Sequence, residues 1–72
     1  MEQNKVYRFE GEIYHEDGIT LCGVWVEWPS DNLAITSAYI WGSDEGVDLV
    51  KVFREENSNG ERTEVLIANL TL

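Results

Sequence analysis

The chain has 72 residues, 43% of them apolar, with three Trp, three Tyr and two Phe, and fourteen acids against five bases give a formal charge of −9. That length allows one domain, residues 1–72, and the apolar and aromatic content excludes an intrinsically disordered chain. The acidity disfavours direct binding to a phosphate backbone, and the single cysteine, Cys22, excludes an internal disulfide.

The first predicted element runs from Val6 to His15. Tyr7, Phe9 and Ile13 fall on one parity with Gly11, while Arg8, Glu10 and Glu12 fall on the other, the period-2 pattern of a half-buried strand. Glu16-Asp17-Gly18 supplies a tight connection. The second run, Ile19 to Trp28, is the most aromatic and β-branched. Its apolar residues change parity at Gly23, from Ile19 and Leu21 to Val24, Val26 and Trp28, so a bulge or bend is expected there. Pro29-Ser30-Asp31-Asn32 ends the strand and turns the chain.

Leu33 to Trp41 puts Leu33, Ile35, Tyr39 and Trp41 on one face if it is a strand. As a helix it would be capped by Ser30 or Asp31. It lacks the long charged residues of a surface helix, however, and its Ile, Thr and Tyr favour a strand, which is the expectation. Gly42 to Gly46 is read as a loop. Val47 to Arg54 carries apolar residues on both parities, Leu49 and Phe53 against Val50 and Val52, as a central strand or a subunit interface would. Asn57-Ser58-Asn59-Gly60 is a hairpin signal, and Arg62 to Leu72 is a fifth strand.

These elements predict an all-β fold, a five-stranded antiparallel meander closing into a small, partly open barrel or a strongly curved sheet. An SH3-like barrel suits the length better than an OB-like one.

No motif of catalysis, metal binding or phosphate binding is present. Glu10 and Glu12 alternate as acids do on any solvated strand face. His15 and Cys22 are one imidazole and one thiol rather than a nucleophile pair. Asp44, Glu45 and Asp48 fall short of the oxygen-ligand set of a calcium loop. No cofactor is expected, and the protein is not expected to be an enzyme.

The aromatic residues are the stronger signal. Trp25 and Trp28 lie on opposite parities, and Trp25 shares its side with Glu27, so an outward ring stands beside a carboxylate. Tyr14, Tyr39 and Trp41 extend that surface, and Asp44, Glu45 and Asp48 give an acidic stretch that would attract a basic partner. The expected function is a small acidic protein-interaction domain that binds a basic protein. Three alternatives accompany it: a mimic of nucleic-acid charge of the phage or mobile-element type that inhibits a nucleic-acid-binding protein, a structural subunit of a homo-oligomer, and a small-ligand module. Residues 1–12 show neither a basic start nor an apolar stretch, and no run approaches a membrane span, so a cytoplasmic location without membrane association is expected.

Overall fold

In the computed structural model, which describes residues 3–72, the first two runs form long strands, β1 (Lys5–His15) and β2 (Gly18–Trp28). A helix, α1 (Asp31–Glu45), follows, and then β3 (Leu49–Ser58) and β4 (Glu61–Thr71). The four strands make one antiparallel sheet in the order β2-β1-β3-β4, with α1 packed on one face. The fold is therefore mixed α/β, and the expected all-β five-stranded barrel or meander is wrong.

The error lies in one element. Leu33 to Trp41, expected to be a strand, is the body of α1. Ser30 is its N-cap, in extended conformation, with its hydroxyl accepting from the Leu33 N–H at 3.4 Å. Gly46 closes the other end in the left-handed region at φ 72°, its N–H donating to the carbonyls of Gly42 and Ser43. Gly42 to Glu45, read as loop, is thus the last helical turn. The buried positions are Ala34, Ala38 and Gly42, spaced by four along one stripe. Small residues there bring the helix axis close to the sheet, and this packing overrides the strand preference of the Ile, Thr and Tyr around them.

A sheet with one covered face explains the remaining patterns. Tyr7, Phe9 and Gly11 of β1 meet Val52 and Val50 of β3 under the helix, and the core of Tyr7, Phe9, Ala34, Ala38, Val47, Val50 and Val52 is at most 5% exposed. The register of β1 with β2 is unbroken from Lys5–Trp28 to His15–Gly18, so there is no bulge at Gly23. The parity change there reflects two environments. Val24, Val26 and Trp28 pack toward the helix, whereas Ile19 and Leu21 lie on the uncovered face. The sheet's register shift falls instead in the β3–β4 ladder, between Val52 and Phe53. The second hairpin turns through Asn59 (φ 54°) and Gly60 (φ 81°), two successive positive φ values that suit an Asn-Gly turn. Among the described residues no helix is long and apolar enough to cross a membrane.

The N-terminus of α1 is fastened electrostatically. The buried Tyr7 hydroxyl donates to Asp31 Oδ1 at 2.6 Å, and the Arg54 guanidinium holds the other carboxylate oxygen. Asp31 lies below the usual carboxylate range, chiefly through the Tyr7 hydrogen bond and then through Arg54. Tyr7 is pushed up to about 12, by burial first and then by its bond to Asp31. A phenol ionises near pH 10 in the unfolded chain, so the unfolded state loses this proton before the folded state does. The Tyr7 contribution is therefore whole below pH 10 and drains away as pH rises toward 12. Urea titrations should show wild type losing its advantage over Tyr7→Phe across that window; a constant difference would contradict the assignment.

Candidate interaction surface

Strand alternation sends every second side chain to the face that α1 leaves open. From the register, these include Val6, Arg8, Glu10, Glu12 and Tyr14 of β1, Ile19, Leu21, Trp25 and Glu27 of β2, Leu49, Lys51, Phe53 and Glu55 of β3, and Arg62, Glu64 and Leu66 of β4. The large apolar members remain open to solvent: Trp25 is 57% exposed, Leu21 61%, Ile19 59% and Leu66 50%. A shallow cleft of about 300 Å³ is lined by Val6, Trp25, Val26 and Glu27.

Arg8 organises the centre of this face. Its guanidinium carbon lies 4.3 Å from the Phe53 ring centroid and 6.0 Å from that of Trp25, so the cation sits between two aromatic groups. Nη1 donates to Glu10 at 2.7 Å, while Nε and Nη2 form a two-pronged contact with Glu64 at 2.9 and 3.1 Å. Those bonds, Glu64 first, raise the Arg8 pKa, and Arg8 in turn holds Glu64 below the usual range. Lys51 pairs with Glu12 at 3.3 Å, and Arg62 pairs with Glu55. The cations on this face are thus engaged by their own carboxylates, and these ion pairs run across the central strands between the exposed apolar residues of β2 and Leu66 of β4.

The residues singled out from the sequence separate into four places. Trp25 and Glu27 meet on the open face, at the cleft. Trp28 turns to the helix side, where it is half-buried with its indole N–H unpaired among the described residues. Trp41 also turns inward and packs against Phe9, with ring centroids 6.0 Å apart at 49°. Tyr39 is 53% exposed on the outer side of the helix. Asp44 and Glu45 end the helix, and Asp48 is occupied as an acceptor, its carboxylate taking the Tyr14 N–H at 2.8 Å. This last contact brings the helix C-terminus to the β1–β2 turn, so Glu16 and Asp17 stand at the same acidic end as Asp44 and Glu45.

Arg8, Phe53 and Leu66 were missed. The two-sided apolar character of Val47 to Arg54 was the sequence signal for Phe53, which faces away from Val50 and Val52. The weak chemical candidates disperse. Glu10 and Glu12 are each held by a base, the His15 ring contacts the Thr20 hydroxyl at 3.0 Å, and Cys22 stands opposite Gly11. Among the described residues no group of three or more His, Cys, Asp or Glu side chains could hold a metal ion. Comparison of the chain with family models, curated proteins and solved structures returns no match.

Proposed function

We propose that this protein is a non-enzymatic interaction domain that docks a basic protein on the open face of its sheet. The observation that carries the reading is the exposure of Trp25, Leu21, Ile19 and Leu66 on one face, around an Arg8 held between Phe53 and Trp25. Exposed aromatic and aliphatic side chains interleaved with an arginine are material for a protein contact, because aromatic residues and arginine commonly supply the binding energy of such surfaces. The net charge of −9 specifies the partner's sign and gives long-range steering toward it. The reading places the protein in the cytoplasm, where the Cys22 thiol stays reduced.

The test compares wild type with Leu66→Glu, a substitution at a half-exposed position on β4, in affinity capture followed by measurement of purified pairs. A basic partner should bind wild type, lose at least tenfold in affinity to Leu66→Glu, and weaken between about 0.1 and 0.5 M salt as the field is screened. Equal binding by the variant would remove the open face from the interaction. Displacement of the partner by DNA or RNA would mark the charge-mimic form of this reading.

A further inference from the structure

We propose that β2 is an assembly edge, pairing antiparallel with β2 of a second copy about a two-fold axis at Gly23. Both outer strands of the sheet, β2 and β4, are edges, but they are built differently. β4 carries Glu61, Arg62 and Glu64 in its first half, and its ladder with β3 is broken by the register shift, two devices that discourage further pairing. β2 has neither. From Gly18 to Trp28 its register is unbroken, it contains no proline, and Glu27 is its one charged residue. A long, regular, nearly uncharged edge is a template for another strand.

The direction of the backbone groups sets the pairing. The Tyr14 N–H points to Asp48, toward β3. Backbone groups alternate along an antiparallel strand, so odd-numbered residues of β1 bond to β2, and their partners Thr20, Cys22, Val24 and Val26 point back at β1. Ile19, Leu21, Gly23, Trp25 and Glu27 therefore direct their N–H and C=O groups outward along the edge.

The strand's midpoint is Gly23, and a two-fold axis there overlaps its whole length. Leu21 then faces Trp25 of the second copy on the open side, an aliphatic–aromatic cross-strand pair. Cys22 faces Val24 on the helix side, and Glu27 faces Ile19, so no carboxylate meets another despite the charge of each chain. Both helices fall on one side of the resulting eight-stranded sheet, and the two open faces become continuous. This inference rests on the edge and stands independently of the basic partner.

Sedimentation equilibrium of the full chain at micromolar concentration should give twice the chain mass, undiminished at about 0.5 M salt because screening relieves the repulsion between like-charged copies. Leu21→Pro removes an N–H that points away from β1, so it should give a monomer with unchanged far-UV circular dichroism. Val24→Cys places a thiol opposite Cys22 of the second copy, and mild oxidation should yield a covalent dimer whose linkage, by peptide mass spectrometry, joins position 24 to Cys22. A wild type that remains monomeric, a dimer that persists in Leu21→Pro, or a bridge joining Cys22 to Cys22 overturns the pairing. Salt-sensitive partner binding by a wild type that sediments as a monomer would leave the open-face reading intact, so the two proposals fail separately.

Discussion

Gly42→Ala is expected to destabilise the protein by about 1 kcal/mol, and by no more than about 2, against the ordinary preference of helices for alanine. Exchange of glycine for alanine inside a helix is worth roughly 1 kcal/mol in propensity. Here the added Cβ would overlap Val50 Cγ2 and stand 2.7 Å from Leu72 Cδ1 and 3.2 Å from Val47 Cγ2. Val50 is fully buried, so the overlap cannot be relieved by a swing into solvent. The helix must lift from β3 instead, and overpacking of this kind costs about 1–3 kcal/mol. Urea unfolding measures the sum. A variant at or above wild-type stability would mean that α1 does not sit this close to the sheet, and partial recovery in Gly42→Ala with Val50→Ala would locate the clash.

The second large effect is at Phe9, where truncation to alanine is expected to cost about 3–5 kcal/mol. The ring is 1% exposed at the middle of β1, between the helix and the sheet, and it packs against Trp41. A domain of this length has roughly 4–11 kcal/mol of total stability, so this one side chain decides whether much of the population stays folded. Loss of near-UV circular dichroism from Trp41 should accompany the drop in urea midpoint. A loss below about 1 kcal/mol would show that the surroundings collapse into the gap, contrary to a core held between rigid strands.

Four of the five elements were legible because strand alternation and turn chemistry are local signals. Tyr7, Phe9 and Ile13 on one parity, and Asn59-Gly60 between two apolar runs, need no tertiary information. The helix was hidden because its apolar residues do not mark its buried face: Leu33, Tyr39 and Ile40 are exposed while Ala34, Ala38 and Gly42 are buried. The informative pattern was the spacing of small residues between a serine cap and a closing glycine. The surface was legible in half. Trp25 and Glu27 belong together by parity alone, whereas joining them to Arg8, Phe53 and Leu66 requires the strand order. Trp41 pointed to a surface only while its segment was taken for a strand; on a helix it turns toward Phe9.

The strand order also governs how the chain can reach this shape. β1–β2 and β3–β4 are hairpins with neighbouring partners, formed by residues close in sequence. The seam between them is different: Glu12 meets Leu49 and Tyr7 meets Arg54, so it joins only when β2 and α1 are looped out between its two sides. The loop-closure entropy of that step is compensated only by contacts made once both halves are present. Until then Tyr7, Phe9, Val50 and Val52 have no common interior, and each hairpin alone is marginal in water. The helix is the natural clasp. It is tethered directly to β2 and by a short link to β3, and its close-fitting face can draw the two hairpins into register. Gly42, set against Val47, Val50 and Leu72, is the point at which that clasp meets the β3–β4 hairpin.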